Sequence, residues 1–283
     1  MTKIKLDFIK VNPVENMTVF ILDPIPRQFH INVANKIMEY GSIHAEQVGF
    51  IEKPCTEEGK SKNCIRLQMM GGEFCGNAAR SLAAVLVDKE YPCVKKKNEK
   101  FIVPLEVSGF NGVINCEVEC LKNNNEYNSK ISMPLVKETK DFHINYDGTV
   151  YKCAMVDFPG IIHLIVDCKE ISDKEGFFYK VKSELEYTGF DALGVMFYDY
   201  EKSYMEPLVY VKGTDSLFWE RSCASGTSAL AVALTQKQER SLDILVKQPG
   251  GELQVTTEWY NECIKKIYLN GKVRIVAEGK IYI

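Results

Sequence analysis

The chain has 283 residues, 46% of them hydrophobic and 26% charged, with 35 Lys and Arg against 38 Asp and Glu for a formal net charge of −3. That balance describes a folded chain long enough for one large or two medium domains, and it excludes a global electrostatic attraction to nucleic acid or to an anionic membrane surface. The opening MTKIKLDFIKVNP alternates polar and apolar residues, so it has neither the apolar centre of a secretory signal nor a membrane span, and a cytoplasmic protein is expected.

Ten cysteines without an export signal point to reduced thiols rather than a disulfide framework. No C-x-x-C pair occurs. Cys116 and Cys120 in NCEVEC fall on one face of a strand, and with no histidine at metal-ligand spacing nearby they read as a buried pair of small apolar side chains.

In chain order, the apolar run NMTVFILD (16–23) precedes an amphipathic helix in FHINVANKIMEYG (29–41). A Gly-Gly pair at 71–72 leads to Cys75, and CGNAARSLAAVL (75–86) then reads as a helix with alanine, leucine and valine on every side. A helix of that kind is buried all round, so strands are expected to wrap it. Lys95-Lys96-Lys97, followed by Asn98-Glu99, reads as a solvated turn. LEVSGFNGVINCEV is a strand pair around a glycine turn, and the asparagines of LKNNNEYNSK mark a boundary.

Beyond that boundary the same order returns. GIIHLIVD (160–167) echoes NMTVFILD, DKEGFFYKVKSELEY (173–187) is a second amphipathic helix, CASGTSALAVAL (223–234) aligns with CGNAARSLAAVL, and ILVKQPGGELQVTT is again a strand pair. Aligned on their cysteines, Leu82, Ala83 and Leu86 fall on Leu230, Ala231 and Leu234. Matches in the same order at similar spacing predict an α+β protein of two similar domains arising by internal duplication. The expected division is 1–126 and 127–269, with the β-like tail GKVRIVAEGKIYI (270–283) returning to the first domain.

The repeated cysteines carry the chemistry. A helix N-terminus presents unpaired backbone N–H groups and partial positive charge, which bias a cysteine there toward thiolate by up to ~2 kcal/mol, on the order of one pKa unit. Burial acts the other way, so a partly open site is expected. If matched helix starts face one another across a cleft between the domains, one thiolate removes a proton from a carbon while the opposed thiol delivers one to the other face, inverting the centre. Two such thiols share one proton, because two adjacent thiolates repel. The N–H groups of Gly76, Asn77, Ala224 and Ser225 are placed to hold a substrate carboxylate and the charge that builds on it. This scheme needs no metal, pyridoxal phosphate or nicotinamide, and no Walker loop or G-x-G-x-x-G motif is present.

GGEFCGNAARS resembles the first-cysteine motif of the diaminopimelate epimerase family, and WERSCASGTSAL resembles its second; KVNPVENMTV and AEQVGFIE are similar to the family's opening and its Asp-Gln segment. The resemblance runs through the whole chain. It implies two like domains, each a β-barrel wrapped around a central helix with the site between them, and cofactor-independent inversion at an amino-acid α-carbon. On that match Cys75 and Cys223 are the two bases, Asn16 and Gln47 lie in the pocket, and Glu220 and Arg221 line the substrate side.

Where the family holds the far carboxylate of diaminopimelate with asparagines, this chain has Ile161, a residue near Leu193, and Met69 and Met70. The distal end is thereby less polar, and EFCGNA, AEQVGFIE, SCASGT and QPGG resemble the histidine racemase branch. The resemblance implies conversion of L-histidine to D-histidine, with diaminopimelate epimerase as the enzymatic alternative. Glu46, beside Gln47, is a candidate acceptor for the substrate ammonium or side chain. His163 reads first as a core histidine, QPGG as a turn, and Trp219 as a packing residue.

A dehydratase on the same fold is a further alternative, as is a non-enzymatic protein that binds metal or an amino acid through its thiols. Beyond a small amino-acid substrate, no nucleic-acid or membrane partner is expected; a homodimer is compatible with the chain.

Overall fold

The computed structural model describes residues 4–123 and 125–283. Residues 1–3 of the opening segment, and Asn124 within the segment read as a boundary, lie outside the described residues. The chain divides into two compact units, Met1–Ser132 with Asn270–Ile283, and Met133–Leu269.

In the first unit, β1 (Lys5–Asn12) buries Leu6, Ile9 and Val11 and pairs antiparallel with β2 (Thr18–Ile21). Helix α1 (His30–Met38) turns His30, Val33, Ala34 and Ile37 inward, the i, i+3, i+4, i+7 stripe of an amphipathic helix, and carries the chain to β3 (Gln47–Glu52), parallel to β2. The short α2 (Glu57–Ser61), capped by the Thr56 side chain, leads to β4 (Ile65–Met69) antiparallel to β3.

Helix α3 (Gly76–Asp88) then buries every residue from Gly76 to Val87. β5 (Lys95–Lys97), β6 (Lys100–Val107), β7 (Val113–Cys120) and β8 (Glu126–Met133) form successive antiparallel pairs, with β6 also parallel to β4.

The second unit opens with the antiparallel β9 (Glu138–Tyr146), β10 (Thr149–Phe158) and β11 (Ile161–Asp167). Helix α4 (Lys174–Leu185), N-capped by Asp173, joins β11 to the parallel β12 (Ala192–Asp199). β13 (Tyr204–Val211) and β14 (Ser216–Trp219) follow antiparallel, then α5 (Ala224–Gln238), β15 (Leu242–Gln248) and β16 (Gly251–Tyr260). The last strand, β17 (Cys263–Tyr282), ends by pairing antiparallel with β1, Leu6 opposite Ile281. The core of this unit gathers Phe177, Phe178, Val181 and Leu185 of α4 under Leu164, Leu193, Val195 and Phe197 of the sheet.

Two expectations change here. Lys95–Lys97 is a strand in a hairpin with β6, turned at Asn98 with φ +57°; all three lysines are exposed, and backbone pairing of a strand tolerates charges that point to water. Cys116 is buried but Cys120, the last residue of β7, is exposed, because the strand runs out of the core before its end.

A buried carboxylate ties the loop before α2 to β6. Glu106 is 1% exposed and accepts hydrogen bonds from the N–H groups of Cys55 and Thr56, both at 2.9 Å, and from the Thr56 hydroxyl, with the Arg66 guanidinium at 3.4 Å. Burial works to raise this carboxyl, but the hydrogen bonds from Thr56 and Cys55 outweigh it and bring its pKa to about 2. The folded value lies below the unfolded one, so Glu106 stabilises the fold above about pH 4.3, and this contribution fades as pH falls toward 2. Glu106→Gln is expected to cost about 1–3 kcal/mol near neutrality, read by urea unfolding, and the gap from wild type should close in melts taken at pH 3 and below.

Candidate active site

Cys75 occupies the N-cap of α3 with extended backbone, φ −122° and ψ 107°, and its sulfur accepts the N–H of Ala78 at 3.4 Å. Cys223 occupies the N-cap of α5 at φ −112° and ψ 111°, and its sulfur accepts the N–H of Gly226 at 3.3 Å. Both sulfurs thus stand where a serine or aspartate oxygen usually caps a helix, inside the partial positive charge of the first turn.

Cys75 is held from behind by Ser108, whose hydroxyl accepts the Met69 N–H at 2.9 Å and donates to the Glu73 carbonyl at 2.7 Å. The next residue, Gly109, has φ +71°, and a Cβ there would sit 2.4 Å from the Phe74 nitrogen. Only glycine lets this turn lie against the segment that delivers Cys75.

Cys223 is held by the turn after β15. Gln248 Oε1 accepts the Cys223 N–H at 2.8 Å, while Gln248 Nε2 donates to Thr227 Oγ at 2.9 Å. The Gly250 N–H donates to the Arg221 carbonyl at 2.7 Å, and Arg221 Nη2 donates to the Pro249 carbonyl at 3.1 Å. The QPGG segment is therefore a turn, as read from the sequence, and also a strap over the residues before α5. At Gly226 a Cβ would meet Met196 Sδ at 2.1 Å and Cys223 Sγ at 3.1 Å, so a side chain there would have to displace Met196 and press on the cap sulfur.

The two thiols sit in different surroundings. Cys75 is half-buried, whereas Cys223 is only 4% exposed, more closed than the open site expected from the sequence. Burial first, and the charge of Glu220 second, push the Cys223 thiol well above its ordinary value, against hydrogen bonds from Ser225 and the Gly226 N–H that favour the thiolate.

His163 is wholly buried on β11, and burial pushes it down to about 3, so its ring is neutral. Its Nε2 lies 2.9 Å from Ser225 Oγ, which in turn lies 3.6 Å from Cys223 Sγ. His163 is thus a core histidine, with one nitrogen on Ser225.

In the first unit, Asn16 is 2% exposed and donates from Nδ2 to Glu46 Oε2 at 2.9 Å. The N–H groups of Glu46 and Gln47 both reach the Met17 carbonyl, so Asn16, Glu46 and Gln47 form one local group at the start of β3. Gly76 and Asn77 are buried in the first turn of α3. In the second unit, Ala224 is buried and Ser225 half-buried in the first turn of α5, with Glu220 half-buried and Arg221 exposed just before it.

Of the residues read as making a less polar distal end, Leu193 and Met69 are wholly buried, while Ile161 and Met70 keep some surface. Trp219 is 43% exposed, with its ring beside Phe197 and its Nε1 donating to Glu175. Among the described residues, no group of three or more His, Cys, Asp and Glu can hold a metal ion, and no helix is long and apolar enough to cross a membrane. Sequence reasoning passed over Ser108 and read Gln248 only as part of a turn; their contacts carry no signal until β4, β6, α5 and β15 are assembled. It also passed over Arg80, whose signal was present: one arginine in an otherwise apolar helix.

Residues 5–282 match the family described as the histidine racemase CntK N-terminal domain. The chain belongs to the histidine racemase family. A histidine racemase of Fusobacterium nucleatum is 37% identical over 283 residues, covering 98% of this chain and 97% of that protein. One of Staphylococcus aureus is 29% identical over the full length of both chains. Among solved structures, a hydroxyproline epimerase of Agrobacterium vitis superposes with a TM-score of 0.71, covering 99% of this chain and 93% of that one, at 12% identity. A probable proline racemase of Agrobacterium radiobacter gives 0.70 over 97% and 92%, also at 12%. The histidine racemase family member described here thus has the mixed, sheet-rich α+β fold of those structures.

For this family member, the two environments predict unequal thiols. Brief iodoacetamide treatment at pH 7.5, mapped by mass spectrometry, should label Cys75 well before Cys223. Glu220→Gln removes the charge that opposes the Cys223 thiolate and should bring the pH midpoint of Cys223 labelling down.

Proposed function

We propose that this chain is a histidine racemase that interconverts L- and D-histidine by two-thiol chemistry without a cofactor. The observation that carries this reading is the repeated cap. Two cysteines, each starting a buried helix, each accept the N–H of the third residue on, and the chain belongs to a family named for this reaction.

In one direction the sulfur of Cys75 takes the α-proton, leaving the electron pair on the α-carbon and its carboxylate. The thiol of Cys223, held protonated by burial and Glu220, delivers its proton to the opposite face. The turnover ends with Cys75 as thiol and Cys223 as thiolate, which is the starting state for the reverse direction, so no proton is lost or gained overall. The scheme requires both sulfurs to reach one α-carbon, as they would if the two units are duplicated barrel domains of the diaminopimelate epimerase kind.

The substrate carboxylate is assigned to the first-turn N–H groups of Gly76, Asn77, Ala224 and Ser225, where helix ends favour an anion and stabilise the charge that develops beside it. Asn16, Glu46 and Gln47 are assigned to the ammonium and imidazole, with Glu220 and Arg221 at the other side of the substrate. Arg221 already gives one donor to the Pro249 carbonyl, which favours a neutral imidazole over the second carboxylate of diaminopimelate.

Incubation of L-histidine in heavy water should yield D-histidine carrying α-deuterium, with rates unchanged by EDTA or hydroxylamine. Cys75→Ala and Cys223→Ala should each lower racemisation by about 10²–10⁴-fold. Full racemisation by Cys75→Ala would remove this mechanism, and faster turnover of diaminopimelate than of histidine would move the assignment to the epimerase.

A further inference from the structure

Arg80 is the one cation set inside the apolar helix that Cys75 begins, and it is wholly buried. Its Nε donates to Asn77 Oδ1 at 3.1 Å and its Nη1 to the Lys272 carbonyl at 3.0 Å. Its Nη2 has no hydrogen-bond partner among the described residues. An arginine stays charged in proteins, and a buried charge without a counter-charge costs several kcal/mol. Such a residue is tolerated where an anion stands near enough to offset it.

Among the described residues, the titratable groups on the elements packed around α3 are engaged elsewhere or neutral. Glu106 on β6 is engaged with Cys55, Thr56 and Arg66. Cys116 on β7 is fully buried and held as a neutral thiol by that burial. Tyr127 on β8 donates to Asp88, the last residue of α3, at 2.7 Å. Lys272 on β17 offers its carbonyl, while its own ammonium pairs with Glu126. Burial brings Arg80 down to about 9, so it keeps its charge at neutral pH, and a thiolate at Cys75, the N-cap of the same helix whose first turn Arg80 reaches through Asn77, would act against that fall.

We propose that Arg80 is a positioning residue, the buried counter-cation that holds Cys75 as thiolate and fixes the side chain of Asn77 beside it. The proposal rests on the reading of Cys75 as a reacting thiol. It divides the work of the helix start: the first-turn N–H groups face the substrate, and the guanidinium, with no exposed surface, acts on the sulfur from within the core. Neutral hydrogen-bonding residues at position 80 would keep the Asn77 contact yet lose the charge, which makes the two contributions separable.

The test does not depend on turnover. In full-length protein, the rate of Cys75 alkylation by iodoacetamide is followed against pH by site-resolved mass spectrometry in wild type, Arg80→Gln and Arg80→Lys, with the exposed Cys120 as an internal reference. Arg80→Gln should raise the Cys75 midpoint by about one pH unit, a loss of about tenfold in rate at neutral pH, while Arg80→Lys recovers most of it and Cys120 does not move. An unchanged Cys75 midpoint in folded Arg80→Gln, or a lysine variant as impaired as the glutamine, overturns the proposal.

Should the position 80 variants fail to fold, the melting temperatures of wild type and Cys75→Ser between pH 5 and 9 decide it. A thiolate paired in the folded state stabilises it at high pH and loses that effect as pH falls through its folded pKa, so the serine deficit should widen as pH rises. A deficit that is constant with pH overturns the proposal. Racemisation persisting in Cys75→Ala would instead overturn the functional reading and leave the alkylation result standing.

Discussion

The site depends on a helix cap made by sulfur. The first turn of a helix leaves N–H groups with no intrahelical acceptor, and where that turn is largely buried water is a poor substitute for a protein acceptor. In α3 the Ala78 N–H goes to Cys75, and in α5 the Gly226 N–H goes to Cys223. The same contact that completes the helix fixes each sulfur relative to the helix axis, so the position of each thiol follows from the packing of the core. This explains why so much of the surrounding hydrogen bonding serves the approach to the cap: Ser108 and Gly109 behind Cys75, Gln248 and the turn after β15 behind Cys223.

Equivalent caps do not make equivalent thiols. The proposed proton transfer in both directions would need one sulfur bare and the other protonated at the outset, and the two local environments differ in that sense. Cys223 is enclosed and faces the charge of Glu220, both of which favour its neutral form, while Ser225 and a helix N–H limit how far that preference goes. Burial keeps His163 neutral beside Ser225, so no positive charge there draws the Cys223 proton away. On the Cys75 side the sulfur keeps part of its surface, and the only cation within the helix is the buried Arg80.

What could be read from the sequence was what depends on local pattern. The amphipathic stripes of His30–Met38 and Lys174–Leu185, and the all-round apolar character of Gly76–Asp88, appear as helices because their periodicity is set by their own side chains. The cysteines stood out because each precedes such a helix. Residues whose role is set by distant strands were not legible. Lys95–Lys97 looks like a loop by charge but is drawn into a strand by the backbone of β6; Cys120 looks like the partner of Cys116 by spacing, but lies where β7 leaves the core. Gln248 looks like part of a turn, yet as the last residue of β15 it reaches back to accept the N–H of Cys223 at the start of the preceding helix.

Arg80 belongs to neither group, and its place follows from energetic considerations. A chain selected only for stability would not keep a guanidinium at full burial inside a helix of alanine, leucine and valine, since a well-packed apolar residue of similar volume there is usually neutral or better. On the proposed reading, the cost is sustained because another state of the molecule uses the charge. A thiolate at the helix cap would be such a state: it too is costly where it is partly buried, and a cation placed five residues on within the same helix would offset it while itself staying out of solvent. Two groups that would each destabilise the fold alone are then less costly together, and the helix between them sets their separation.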